Sequence, residues 1–188
     1  MSVIIGIDWD KDRIDAPREM KRARRWLLYK MIKKPDGKAS KVPYYVNGKP
    51  RNGMLDTPED VRQLVDYETA AQVVDGSDAY AGLGFALGKD GEGYWQGIDV
   101  DDYQTNNLES LVKQLPGYVE QSPSGTGVHA IGYGEFFNGQ NEGNGIEYYS
   151  SGRYFTYTGK AIRTSGLTDL KPFIKTKINP NLRDKLPT

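Results

Sequence analysis

Two carboxylates stand one residue apart inside an apolar run, at Gly97-Ile98-Asp99-Val100-Asp101. On a β-strand alternate side chains share a face, so Asp99 and Asp101 point one way and Ile98 and Val100 the other. Like charges side by side repel, and burying either is costly unless a cation is shared between them. One or two divalent metal ions held by hard oxygen ligands resolve this most plainly. A solvated acidic strand end is the alternative, and Asp102, which follows directly, suits it.

Two further elements lie downstream. Ser122-Pro123-Ser124-Gly125-Thr126-Gly127-Val128-His129 joins two glycines to small hydroxyl residues and leads into the chain's single histidine. Glycines let the backbone turn sharply and present N–H groups to an anion. An imidazole can donate to a phosphate oxygen or ligate metal. An ordinary hairpin turn and a satisfied core histidine explain the same residues. Glu147 then stands between apolar neighbours, followed by Ser151-Gly152-Arg153-Tyr154. Arg153 offers a fork of donors suited to phosphate, or a simple cross-strand ion pair with Glu147. Taken together, the elements supply three carboxylates for a two-metal site and a cradle for a triphosphate, the parts that nucleotidyl transfer needs. Asp8-Trp9-Asp10 repeats the alternating pair but has no Gly-rich loop or third acid soon after it. Gly82-Leu83-Gly84 lacks the strand–loop–helix order of a phosphate loop.

The elements that must position these residues can be read from turn and cap signals. Pro17 opens a helix running to residue 25. A strand over 26–32 turns at Pro35-Asp36-Gly37-Lys38 into a return strand over 41–46, where Pro43 implies a sheet edge. Thr57 as cap, Pro58 and Asp60 start a helix that runs to about residue 74. Strands are expected over 83–87 and 94–101, a short helix over 108–115, and strands over 119–122 and 128–133. A hairpin over 146–150 and 153–158 would turn at Ser151-Gly152, and residues from Thr164 on read as a tail. Mostly antiparallel hairpins with helices on one side make the fold α+β.

The 188 residues suffice for a real core, and 37% hydrophobic with 27% charged content is ordinary for a globular protein. With no cysteine, disulfides, thiol catalysis and Cys-ligated zinc are excluded. No apolar run approaches the roughly 18 residues of a membrane span, and the amino terminus lacks a basic region. A cytoplasmic location without membrane partners is therefore expected. Net charge is zero, yet residues 1–53 carry +8, residues 54–150 carry −14 and residues 151–188 carry +6. An acidic centre between basic ends suits a metal site framed by phosphate-contacting surfaces, as well as segregated solvated faces.

The order Gly82-Leu83-Gly84-Phe85, Ile98-Asp99-Val100-Asp101, Ser122 to His129, and Glu147 to Thr156 resembles the primase-polymerase (prim-pol) domain of the archaeo-eukaryotic primase superfamily. The nearest flavour is that of replication proteins of phages, plasmids and integrated elements. Trp26-Leu27-Leu28-Tyr29-Lys30 and the stretch from Lys38 to Tyr44 match its amino-terminal pattern, so the resemblance covers about residues 24–160. It implies an RRM-like antiparallel catalytic sheet with a small N-terminal α/β subdomain, and an active site in the cleft between them. It implies an extension over 1–16, a prim-pol domain over 17–163 divided after residue 80, and a tail or linker over 164–188 toward a downstream helicase. Asp99, Asp101 and Glu147 would bind Mg²⁺ or Mn²⁺. Ser122, Ser124, Gly125, Gly127 and His129 would hold nucleotide phosphates, with Lys41 and Arg153 on phosphate or template. The implied enzyme is a DNA primase or polymerase, a nucleotidyltransferase joining nucleoside triphosphates on single-stranded DNA. Two rivals stay open. One is a replication-initiator module that binds single strands without catalysis, with Trp26, Tyr44 and Tyr45 as stacking platforms. The other is a metal-dependent nuclease.

Overall fold

Ile98 and Val100 are fully buried, while Asp99 between them keeps 23% of its side chain exposed. That alternation divides a sheet into a core face and a polar face. A computed structural model describes residues 15–186. Asp8 and Asp10 lie outside the described residues, as does nearly all of the expected 1–16 extension.

In chain order the elements are α1 (Arg18–Arg22), β1 (Trp26–Lys33), β2 (Ala39–Tyr44), α2 (Pro58–Gln63), α3 (Tyr67–Asp75), β3 (Gly82–Ala86), β4 (Gly88–Asp90) and β5 (Gly93–Val100). Then come α4 (Glu109–Gln114), β6 (Tyr118–Gln121), β7 (Val128–Gly134), β8 (Gln140–Asn141), β9 (Ile146–Tyr149), β10 (Tyr154–Tyr157), β11 (Ala161–Thr164) and α5 (Lys171–Phe173). A π-helical turn, Ile174–Ile178, continues α5. Two compact units result, one of Arg18–Ala86 with Gly152–Tyr157, the other built mainly from Leu87–Ser151 and the chain from Thr158 on. The mixture is α+β with antiparallel sheets.

The first unit holds a four-stranded antiparallel sheet in the order β10-β3-β1-β2. β2 is at its edge, as Pro43 requires. Trp26 is fully buried, with Tyr67, Phe85 and Tyr157 standing edge-on to it at 4.9, 5.0 and 4.9 Å. The helix expected over 57–74 is two helices. Thr57 caps α2 by accepting from the Asp60 N–H at 3.2 Å. The backbone then turns extended at Leu64, and Val65 exchanges hydrogen bonds with Trp26 at 2.9 and 3.1 Å. Asp66 caps α3 by accepting from the Thr69 N–H at 2.9 Å. A bridge to β1 and a second cap thus override the continuous helical pattern.

A buried polar network ties this unit together. Asp60, 3% exposed, accepts from Tyr45 Oη at 2.7 Å, from Arg51 Nε and Nη2 at 2.8 and 2.7 Å, and from the Asp56 N–H at 2.7 Å. Asp56 accepts from Arg25 Nη2 at 3.3 Å and from the Gly152 N–H at 2.6 Å. Burial pushes the Asp60 carboxyl up, but the Arg51 guanidinium, Tyr45 and the Asp56 amide outweigh it and hold it at about 2. Burial and the bond to Asp60 push the Tyr45 phenol up to about 12.

The second unit holds a sheet in the order β11-β6-β7-β5-β9-β8, with β4 also on β5. Ile98, Val100, Val128, Ala130, Val119 and Tyr148 pack from one face against Val112 and Leu115 around α4 and against Leu170, Ile174 and Leu182. The segment expected as a tail therefore completes the core. Gln96, fully buried, holds it in place, donating to Asp169 Oδ1 at 2.7 Å and accepting from the Leu170 N–H at 2.7 Å. The hairpin expected around Ser151-Gly152 does not form. β9 pairs with β5 and β8, whereas β10 pairs with β3. The chain passes from one sheet to the other at Gly152, which has a positive φ of 66° and donates its N–H to Asp56.

A carboxyl held low in the folded state stabilises the fold above its unfolded value near 4, and that support disappears as pH falls through about 2. Asp60→Asn should cost about 3 kcal/mol at neutral pH. It should also flatten the acid limb of stability between pH 4 and 2, as measured by urea unfolding across that range.

Candidate active site

Register brings the predicted residues together. β5 lies between β7 and β9, with Asp99 opposite His129 on one side and Glu147 on the other. His129 faces Glu120 on β6, and Glu147 faces Asn141 on β8. Directly opposed residues on antiparallel strands share a face. Glu120, His129, Asp99, Glu147 and Asn141 therefore form one row across the sheet, on the face opposite Ile98 and Val100.

Close approach and hydrogen bonds hold the row together. His129, 5% exposed, sets Nε2 3.6 Å from Asp99 Oδ1 and Nδ1 3.5 Å from Glu120 Oε1. Glu120 is fully buried and accepts from the Thr158 and Gly159 N–H groups at 3.1 Å each and from Tyr118 Oη at 3.1 Å. These bonds fix the carboxylate that faces the imidazole. Glu120 was absent from the sequence candidates. Its signal was alternation, because it stands two residues before Ser122 on a predicted strand and so shares that residue's face. Glu147 accepts from Asn141 Nδ2 at 2.7 Å and from Tyr149 Oη at 2.8 Å.

Asp101 lies just past the end of β5 and is exposed. Its backbone is fixed from both sides, donating to Gly145 O at 2.7 Å and accepting from Asn106 Nδ2 at 3.1 Å. The Ser/Gly loop joins β6 to β7 at this same end of the sheet, since Gln121, Val128 and Val100 are in register. It is a tight turn, with the Gly125 N–H donating to Ser122 O at 3.0 Å and the Ser122 N–H to Gly127 O at 2.9 Å. Pro123 takes the second turn position and Gly125 the left-handed one at φ 78°. The hydroxyls of Ser122, Ser124 and Thr126 form a chain with links of 2.9 and 3.1 Å. The amides of Ser122 and Gly125 serve the turn itself, so its outward chemistry is carried by the exposed hydroxyls of Ser124 and Thr126. Gly127 is where loop and acid meet. A Cβ there would lie 2.8 Å from Val100 O, 3.0 Å from Ser122 Oγ and 3.2 Å from Asp101 Oδ1.

Lys41 and Arg153 belong to the other unit, Lys41 on β2 and Arg153 just ahead of β10, both exposed. Trp26 and Tyr45 do not serve as stacking platforms. Trp26 is fully buried and Tyr45 is 6% exposed with its hydroxyl on Asp60, because both are core residues of the first unit. Asp99, Asp101 and Glu147 are hard oxygen donors of the type divalent cations select. Among the described residues, though, no three acidic or imidazole side chains are drawn close enough to enclose an ion as they stand.

Fold and site together define an α+β protein whose larger sheet carries a row of acid, imidazole and acid across adjacent strands, beside a hydroxyl-rich turn. No protein-family model matches the chain. It is 30% identical over 173 aligned residues to a DNA primase-polymerase of Nitratiruptor phage NrS-1. The match takes in 84% of this chain and 22% of the phage protein, so the chain spans under a quarter of that relative's length. The chain is thus related to phage-type primase-polymerase proteins, which bears out the resemblance carried by its motifs. Among the described residues no helix is long and apolar enough to cross a membrane.

Gly127→Ala should cost about 1–3 kcal/mol, because the new methyl meets backbone at Val100 that cannot swing aside. Gly125→Ala, whose Cβ would meet only Gln121 Nε2 at 3.7 Å, should cost about 1 kcal/mol through its positive φ alone. Chemical denaturation of the two variants checks the order.

Proposed function

We propose that this chain is a metal-dependent nucleotidyl-transfer domain that joins nucleotides on a single-stranded DNA template, as a primase or polymerase. The observation that carries the reading is the register that sets His129 and Glu147 on either side of Asp99. Kinship to a phage DNA primase-polymerase supports it. In this reading Asp99, Asp101 and Glu147 hold Mg²⁺ or Mn²⁺. When bound, the metal supplies countercharge to the carboxylates and to the phosphates of the incoming nucleotide. The Ser124 and Thr126 hydroxyls and His129 receive the triphosphate on the turn that Ser122, Gly125 and Gly127 shape, with Glu120 fixing the ring orientation of His129. Lys41 and Arg153, exposed on the other unit, offer positive charge to the template backbone. The primer's 3′ hydroxyl gives its proton to water as its oxygen bonds to the α-phosphorus, and the bond to pyrophosphate breaks so that pyrophosphate leaves with the electron pair. Positioning by these side chains accounts for most of the rate. An RRM-like sheet as the catalytic half of a prim-pol fold is part of the same proposal.

A second reading, a module that binds single strands without catalysis, draws on one observation. Both Glu147 oxygens are already engaged, by Asn141 and Tyr149, and the acids are not gathered into a shell. Primer extension with Mg²⁺ or Mn²⁺ separates the two. The expected outcome is incorporation by the wild-type chain and a loss of more than about 100-fold in Asp99→Ala and in Glu147→Ala, with folding retained. Incorporation by Asp99→Ala at the wild-type rate would overturn the site, and none by the wild type would favour the second reading.

A further inference from the structure

β1 and β2 reach beyond their sheet. β3 pairs with β1 only over Trp26–Tyr29, whereas β2 stays paired to β1 as far as Lys33. From Lys30 onward the two strands are a bare ribbon, and burial falls away with it: Trp26 to Tyr29 are buried and Met31 to Lys33 exposed. The ribbon closes in a tight turn, with the Gly37 N–H on Lys34 O at 2.9 Å and the Lys34 N–H on Lys38 O at 2.8 Å. Asp36 Oδ1 caps the turn by accepting from the Lys38 N–H at 2.9 Å.

The charge on this ribbon is of one sign. Lys30, Lys33, Lys34, Lys38 and Lys41 stand against the single acid Asp36. Lys33, Lys34 and Lys38 are exposed and have no ion-pair partner among the described residues. Apolar and aromatic surface accompanies the charge. Met31 is 50% and Ile32 40% exposed, and at the base Lys30 Nζ lies 4.6 Å from the Tyr44 ring centre and 4.9 Å from that of Tyr80. A ribbon that combines uncompensated lysines with exposed Met31 and Ile32 and half-buried tyrosines at its base fits a polyanion whose bases are unpaired. Phosphates meet the ammonium groups, while base faces meet Met31, Ile32 and the tyrosines. A duplex hides those base faces, and an acidic protein surface would leave the one-signed charge explained but not the aromatic base.

We propose that the β1–β2 ribbon is a binding arm for single-stranded DNA. This rests on the template-directed reading of the chain and adds the surface that grips the strand.

The test is fluorescence anisotropy with a labelled oligo-dT, comparing wild type with Lys33→Gln/Lys34→Gln/Lys38→Gln across salt concentrations. The lysine variant should bind roughly tenfold or more weakly at low salt. Its log–log salt slope should be shallower by about 2, since each lost single-strand phosphate contact contributes roughly 0.7. Its thermal midpoint should match the wild type, because the three side chains touch no acid among the described residues and lie outside the core. Unchanged affinity and slope in the lysine variant would overturn the arm even if Asp99→Ala abolishes incorporation. Arm-dependent binding with no incorporation by the wild type would leave the arm standing and overturn the catalytic reading instead. Equal arm-dependent binding of a duplex of the same length would overturn the assignment to single strands.

Discussion

β5 pairs with β7 and β9 at once, and the register of those two ladders governs the polar face of the larger sheet. Side chains on a strand alternate, so a slip of one residue in either ladder would exchange Asp99 with Ile98 or Val100. Ile98, Val100, Val128, Ala130 and Tyr148 are fully buried on the opposite face, and each buried aliphatic side chain contributes about 1.5–3 kcal/mol. The core therefore enforces the register. The site inherits it at no separate cost, since placing Ile98 on the core face places Asp99, His129, Glu147 and Glu120 on the other face and level.

Acidic groups so arranged need partners, and the chain supplies them locally. Glu120 is held by two backbone amides and a phenol, His129 stands between two carboxylates, and Glu147 is braced by Asn141 and Tyr149. The first unit solves a similar problem with Arg25, Arg51, Asp56 and Asp60, whose interlocking bonds take in the Gly152 N–H. Both units also use one kind of hairpin turn. Lys34-Pro35-Asp36-Gly37 and Ser122-Pro123-Ser124-Gly125 each place proline second and a left-handed glycine fourth, with the glycine N–H on the first residue's carbonyl. The backbone is alike, and what differs is the cargo, lysines on one turn and hydroxyls on the other.

Much of this was legible in the sequence because it is local. The alternation of Asp99 with buried Ile98 and Val100, the Thr57 cap, the edge position of Pro43 and the Ser122–His129 turn each depend on a few neighbouring residues, and each stands in the structure as expected, although the strand ends at Val100, one residue before Asp101. What escaped depends on partners distant in sequence. The break at Leu64 comes from the bridge between Val65 and Trp26, and Gly152, where the chain changes sheets, donates to a carboxylate 96 residues away at Asp56. The segment after Thr164 looks polar along the chain, yet Leu170, Ile174 and Leu182 suffice to dock it. Glu120 carries no motif of its own, and only its pairing with His129 reveals it. Trp26 and Tyr45 illustrate the converse error, since an aromatic side chain near basic residues says nothing of exposure until the core is known.

The central claim is that the polar row and Asp101 form a metal-dependent site for a nucleotide. Diffraction at the manganese absorption edge, from crystals grown with Mn²⁺ and a nonhydrolysable nucleoside triphosphate, addresses it most directly. The expected result is anomalous density against Asp99, Asp101 and Glu147, with the phosphates beside Ser124 and His129. Manganese and nucleotide bound elsewhere, with Glu147 still held only by Asn141 and Tyr149, would contradict it.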